Sequence, residues 1–261
     1  MGSTEAGGAM NAAHYRRAVI EAVIARLLPI GAIRALFEGG SAATGRLDDY
    51  SDIDLVVVAP LEAADEAFEA IEAALAPHRI SHVWRVDPPA FPGTAQRFYF
   101  LADAPRFFAV DCVVVAEAAA GQFLEHERHG TPLVYFDRTF KVRARPADRA
   151  ALAERRTRRR QQLQGAVPIY AMLVEKELAR GRPLEALGFY QALLRALLDV
   201  LGMAHRPDRF DFGWRYVETQ LPEDERKRLA RFAFVGDADA LRERAPELAA
   251  ELLQRLRDDA P

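Results

Sequence analysis

The sequence predicts an α/β domain followed by an all-α helical bundle, and three observations carry that prediction. Short β-branched and aromatic runs alternate with helical periodicities up to about residue 145. Beyond that point the β-branched runs disappear, and Ala, Leu, Arg and Glu recur at helical spacing. The 261 residues, 50% of them hydrophobic, suffice for two ordinary domains with separate cores. The reading places the first domain at 10–145 and the second at 146–261.

Taken in order, Tyr15, Val19, Ile20, Val23, Ile24, Leu27 and Leu28 mark one face of a helix, with Pro29 and Gly31 as stop signals. Ile33 to Phe37 reads as a short strand running into Gly39-Gly40, and Asp52 to Val58 as a second strand ended by Pro60. Leu61, Ala64, Phe68, Ile71 and Leu75 form the apolar stripe of the next helix, which stops near Pro77. Ile80 to Val86, Gln96 to Leu101 and Arg106 to Val115 read as strands. Between the first two, Asp87 to Gly93 holds three prolines and a glycine and is expected to be a loop. Ala116 to His129 is expected to be helical, and Leu133 to Phe136 a further strand. From residue 146, four to six helices are expected; Leu184, Leu187, Leu194, Leu197, Leu198 and Leu201 define one, closed by Gly202.

Composition removes several function classes. A net charge of -3 and a pI near 6.1 argue against a dedicated nucleic-acid binder, so nucleic acid is not expected as a partner. Cys112 is the only cysteine, which excludes an internal disulfide and a Cys-based zinc site. No run approaches the roughly 18 uninterrupted apolar residues of a membrane span. The best candidate, Leu27 to Phe37, is short and carries Pro29 and Arg34. Met1 to Ala9 lacks the basic-then-apolar order of a signal peptide and is left out of the fold argument. A soluble cytoplasmic protein is the expectation; its oligomeric state is not legible.

The chemistry concentrates in Glu38-Gly39-Gly40-Ser41-Ala42-Ala43-Thr44-Gly45-Arg46 and in Tyr50-Ser51-Asp52-Ile53-Asp54-Leu55-Val56-Val57-Val58. Side chains two apart on a strand share a face, so Asp52 and Asp54 project together. Two carboxylates so close repel unless a cation lies between them, and an oxygen-preferring divalent ion such as magnesium suits them. A solvated strand edge is the plainer account of such a pair, but these acids open an apolar strand. Upstream, Gly39-Gly40-Ser41 lets the backbone approach a ligand and offers amides and a hydroxyl to an anion. An ordinary strand-to-helix turn is the alternative for the glycines alone. Phosphate cradle and acid pair together are what a nucleoside triphosphate requires.

Gly40-Ser41, the ten residues 42–51, and Asp52-Ile53-Asp54-Leu55 resemble the signature of the DNA polymerase beta-like nucleotidyltransferase superfamily. With Gly45 and Ser51, the string is most similar to the bacterial branch that includes aminoglycoside and lincosamide nucleotidyltransferases. The resemblance covers about residues 15–140 and implies an α/β (α+β) nucleotidyltransferase domain with a mixed sheet, the helical domain closing over its cleft. It also implies a third carboxylate on a later strand. Asp111 within Phe107 to Val115 matches; an arginine-paired carboxylate is the other account of it. Asp103, beside Ala104-Pro105, reads as a hairpin turn. By resemblance, Gly39, Gly40 and Ser41 hold the outer phosphates of ATP or another triphosphate. Arg46, just after the glycine-rich loop, is placed to reach the triphosphate, a solvent-facing arginine being the equal alternative. Asp52, Asp54 and Asp111 are then the catalytic and metal residues for two Mg2+ ions, Asp111 as ligand or general base. The implied reaction moves a nucleoside monophosphate, AMP from ATP, onto a hydroxyl of a small-molecule acceptor, an aminoglycoside-like compound among the candidates, with pyrophosphate released. Protein or RNA modification and a non-catalytic nucleotide-binding regulator are the alternatives.

Weaker signals have plain readings beside the functional ones. His82 and Trp84 share a strand face, for which packing is favoured. Arg155, Arg156, Arg158, Arg159 and Arg160 could meet RNA or polyphosphate, but a solvated helix face balanced by Glu154 and other acids is preferred. The Arg206 to Tyr216 stretch reads as a loop capped by Asp211 leading into a helix packed through Trp214 and Val217, with an acceptor-pocket lining as the alternative. Glu175, Glu177 and Tyr190 suit a cationic acceptor but more simply belong to helix surface.

Overall fold

The computed structural model describes residues 12–258; the Met1 to Ala9 stretch and the start of the predicted first domain lie outside them. The chain divides into two compact units between Pro146 and Ala147.

In the first unit, α1 (Ala12–Leu27) precedes β1 (Ala35–Glu38), a single helical turn α2 (Gly40–Ala43) and β2 (Ile53–Val58). Then come α3 (Ala64–Leu75), β3 (Ile80–Arg85), β4 (Thr94–Leu101), β5 (Ala109–Val115), the one-turn α4 (His126–His129) and β6 (Leu133–Asp137). The strands form one six-stranded sheet in the order β3-β4-β5-β2-β1-β6. The central pair β2 and β5 is parallel and the other pairs are antiparallel, so the sheet is mixed as expected.

Alternation along the strands decides what each face meets. Ile53, Leu55 and Val57 of β2 and Val110, Cys112 and Val114 of β5 bury against Tyr15, Val19 and Val23 of α1 and Phe68, Ile71 and Leu75 of α3. Each large side chain so buried contributes about 1.5–3 kcal/mol. On the opposite face a smaller cluster, Ala35, Phe37, Val56, Val58, Val115, Ala120 and Leu124, covers the late residues of β2 and β5. The early residues Asp54 and Asp111 lie beyond that cluster and are half-buried. Polar positions are thus left at one end of an otherwise apolar pair of strands.

Three expectations need correction here. The Arg106 strand starts later, at Ala109, because Phe107 adopts φ 72 and turns the chain. Leu28 is exposed and outside the buried face of α1. Ala116 to His129 is not one helix but a short 3-10 turn at Ala120–Phe123 followed by α4. Its backbone bonds outward: Arg145 N donates to Leu124 O at 2.9 Å and His126 N to Arg145 O at 2.8 Å. Those exchanges remove the donors and acceptors a continuous helix would need.

The second unit contains α5 (Arg149–Ala179), α6 (Pro183–His205), the one-turn α7 (Val217–Gln220), α8 (Glu223–Ala233) and α9 (Ala238–Asp258), five helices among the described residues. Asp148 caps α5 by accepting from Ala151 N at 2.9 Å. Leu193, Leu197, Leu201, Leu229, Phe232, Leu248 and Leu252 build the core. Gly202 does not close α6, which runs on to His205. A Cβ there would lie 2.6 Å from Phe210 O, so glycine permits the close return of the chain. Among the described residues α6, rather than Leu27 to Phe37, is long and apolar enough by length and composition to cross a membrane; 61% of that window is buried within the protein.

The arginine-rich face of α5 is balanced by acids: Arg159 Nε donates to Asp199 at 2.8 Å, Arg155 pairs with Asp211 at 3.3 Å, and Arg158 with Glu154. Asp211 accordingly meets Arg155, and Trp214 is half exposed rather than packed. The Arg206 to Tyr216 loop is fastened by the buried Arg206, which donates to the carbonyls of Gly213 and Arg215. Glu177 is buried against Arg180, Glu175 is exposed, and Tyr190 Oη donates to Phe232 O at 2.8 Å. Glu175 is thus helix surface as expected, whereas Glu177 and Tyr190 belong to the packed interior.

Candidate active site

The site begins with the register of the central strands. Asp54 on β2 lies directly beside Asp111 on β5, and the parallel pairing points both to the same face. Neighbouring strands are about 4.8 Å apart, so two ionised carboxylates in register repel, and a cation beside them is favoured. Asp52 immediately precedes β2 and faces the same way by alternation; its Oδ1 accepts from Ala109 N at 3.0 Å, at the start of β5. Partial desolvation raises the Asp52 carboxyl above the usual aspartate value, against the lowering effects of the Ala109 amide and of Arg16. Arg16 reaches from α1 to donate to Asp52 O at 2.7 Å and pairs with the buried Glu38.

The glycine turn closes onto this pair. Gly39 N donates to Asp54 O at 2.9 Å, and Gly40 follows at φ 55, a conformation that favours glycine. A Cβ on Gly40 would collide with the Asp54 carboxylate. Glycine is therefore required twice over, by dihedral and by contact. The first helical bonds of α2 run from Ala43 N to Gly39 O and from Thr44 N to Gly40 O. The amides of Gly40, Ser41 and Ala42 precede them and have no acceptor within the turn. Ser41 Oγ is buried and has no hydrogen-bond partner among the described residues. A buried hydroxyl without a partner costs about 1–3 kcal/mol, which an incoming anion would relieve. Arg46 is exposed on the loop after α2, its amide bonded to Ser41 O at 2.9 Å.

Gln96 is the residue sequence reasoning missed. From β4 its Nε2 donates to Asp111 Oδ1 at 2.8 Å and Oδ2 at 3.0 Å. It sits opposite Val113, one step along the strand, and reaches the carboxylate diagonally. The signal was the period-two series Gln96, Phe98, Phe100, but the register that puts it beside Asp111 is not in the sequence. Asp103 is confirmed in a turn, paired with Arg79, whose Nε donates to it at 2.9 Å. His82 and Trp84 do pack, against Phe100 and Phe98 across the strands, yet both remain exposed.

Oxygen-only donors of like charge suit a hard divalent cation, and the glycine turn with its orphaned Ser41 hydroxyl suits a phosphate, so the residues fit both groups. Among the described residues no three Asp, Glu, His or Cys side chains stand close enough to enclose a metal ion by themselves. The register offers Asp54 and Asp111 as the adjacent pair, with Asp52 drawn toward Ala109.

The mixed sheet thus brings two carboxylates in register beside a glycine turn. No family model matches the chain, and no curated protein matches it in sequence. Among solved structures it is similar to spectinomycin adenyltransferase AAD(9) from Enterococcus faecialis, described with ATP and spectinomycin. Identity there is 12%, the TM-score is 0.37, and 95% of this chain and 100% of that chain are covered. It is also similar to the STING-associated CdnE c-di-GMP synthase from Capnocytophaga granulosa, at 14% identity and TM-score 0.29, over 94% of this chain and 81% of that one.

Proposed function

We propose that the chain is a magnesium-dependent nucleotidyltransferase that moves AMP from ATP onto a hydroxyl of a small molecule. One observation carries this: Asp54 and Asp111 stand in register on parallel strands while Gly40 presses its backbone against the Asp54 carboxylate. Phosphate cradle and acid pair thereby touch, which a purely structural pair of acids would not require.

The chain's own groups then take definite roles. The backbone at Gly39 and Gly40 and the Ser41 hydroxyl bind the outer phosphates, with Arg46 available from the following loop. Asp54 and Asp111, with Asp52 beside them, would hold magnesium, which supplies charge neutralisation at the phosphate oxygens. Asp111, steadied by Gln96, accepts the proton of the acceptor hydroxyl. The acceptor oxygen forms its bond to the α-phosphorus as the bond from that phosphorus to the bridging oxygen breaks. Pyrophosphate leaves with the electron pair.

The test is α-labelled ATP with magnesium and a panel of hydroxylated small molecules, with Asp54→Asn as the blank. Labelled small-molecule product and pyrophosphate are expected from the wild type alone. Label entering protein or RNA from a lysate would reassign the acceptor. ATP binding without pyrophosphate in either setting would replace the enzyme with a nucleotide-binding regulator.

A further inference from the structure

The helical unit holds a cavity that the proposed reaction does not use. Its volume is about 280 Å³, and it is lined by one face of α6, by the end of α8 and by the loop ahead of α7. Leu187, Tyr190 and Leu194 recur on α6 at helical spacing and give it an apolar wall. Ala233 and Val235 line it at the end of α8 and just beyond, and Trp214 joins them half exposed. The apolar surface continues outward. Phe234, between Ala233 and Val235, is 85% exposed, and Leu184, one turn before Leu187 on α6, is 81% exposed. Scattered singly, such groups mean little; gathered around a cavity, they mark a binding site.

Charge decides what would bind there. Gln191 and Arg195 stand one turn apart on the same face of α6, both exposed and both lining the cavity. Arg195 forms no ion pair among the described residues. Asp199, one turn further on, already accepts from Arg159 Nε at 2.8 Å. No carboxylate lines the cavity, so its one charged group is a guanidinium, with the Gln191 amide as a second donor. The volume equals that of about nine waters at roughly 30 Å³ each, which limits a guest to one short chain or a single ring.

We infer that this cavity binds a small amphipathic monocarboxylate, its apolar body against Leu187, Leu194 and Val235 and its carboxylate on Arg195. A polyphosphate would bring more negative charge than one guanidinium balances, and a plain hydrocarbon would leave Arg195 unused. All the lining residues belong to the second unit, so the site stands independently of the nucleotidyltransferase reading.

The experiment uses the full chain with Trp84→Phe, which leaves Trp214 as the single tryptophan reporter, since the chain has only two. Sodium octanoate is titrated against Trp214 emission, with octanol and octyltrimethylammonium as the neutral and cationic forms of the same chain. Octanoate should change the emission saturably and bind about fivefold more tightly than octanol, and the cation should not bind. Arg195→Gln should lower the octanoate affinity to that of octanol and leave octanol unchanged. Ala233→Leu, which fills the cavity, should abolish both while the far-ultraviolet circular dichroism stays helical; if helicity is lost, the Arg195→Gln comparison decides alone. Equal affinity for all three compounds, no response to octanoate, or octanoate binding untouched by Arg195→Gln would overturn the site. So would a Trp214 signal that follows protein concentration alone, which would give the cavity to a second copy of the chain.

Discussion

On the sheet face covered by α1 and α3, charges are met by opposite charges. Arg97 of β4 donates to Glu72 of α3 at 2.9 Å and to Asp65 at 3.0 Å, with its guanidinium over the Phe68 ring at 4.2 Å. Glu38 of β1 is buried against Arg16 and accepts from Tyr135. On the opposite face the same strands set two acids side by side and add a neutral amide, Gln96, to one of them. The first face is built as a folding protein needs, because a buried charge without its counterpart is costly. The second sets two like charges in register, an arrangement that a bound cation would favour, and under the proposed function the two faces divide stability from function along single strands.

The sharpest way to break this comparison is to neutralise one acid. Asp54→Asn or Asp111→Asn should lower pyrophosphate release by about 10²–10³-fold or more. Either variant removes one of two like charges in register, so neither should unfold the protein. Loss of stability with retained turnover would show the pair to be structural. Gly40→Ala comes next. It forces an L side chain into φ 55 and onto the Asp54 carboxylate, so about 1–3 kcal/mol of stability should go, together with most MgATP stabilisation. Urea unfolding with and without MgATP reads both. Arg97→Met, on the covered face, should cost about 1.5–3 kcal/mol through the lost charged hydrogen bonds while turnover per folded molecule stays near wild type. A large fall in turnover there would mean that the faces are not separable.

Much of this was legible before the structure. The Asp52-Ile53-Asp54 alternation opening the apolar Leu55 to Val58 run fixed which face the acids take, since the period of a strand is two. Asp111 came instead from the resemblance, which implied a third carboxylate on a later strand, and the strand Ala109–Val115 carries it. What stayed hidden depends on register and on long-range backbone bonds. Gln96 reaches Asp111 only because β4 pairs Phe98 with it. The Ala116 to His129 stretch has helical composition, yet its backbone is bonded to Arg145, a partner no local pattern reveals. Gly202 reads as a stop signal by composition, whereas its role is to let Phe210 approach. Exposure was equally hidden: His82 and Trp84 pack as expected, but periodicity cannot say that the packed pair lies open to solvent.

Asp137 offers the smallest effect and a third way of settling a carboxylate. At the end of β6, Oδ1 accepts from Thr139 N at 2.8 Å, Thr139 Oγ1 at 2.7 Å and Phe140 N at 3.0 Å, while Oδ2 accepts from Val142 N at 2.8 Å. Burial pushes this carboxyl up, but the Thr139 hydroxyl and the three amides outweigh it and hold it below the usual aspartate value. A carboxyl lowered in the folded state contributes stability above its unfolded-state value, and that contribution is lost as pH falls through the folded value. Asp137→Asn should therefore be less stable than wild type near neutrality, with the gap closing below about pH 4. Urea midpoints at pH 7 and pH 3 decide it. A gap unchanged between the two would mean that the loop is held by shape rather than charge. Neutral backbone donors could then settle an acid as well as Arg97 settles Glu72, and repulsion between Asp54 and Asp111 would no longer set the open face apart.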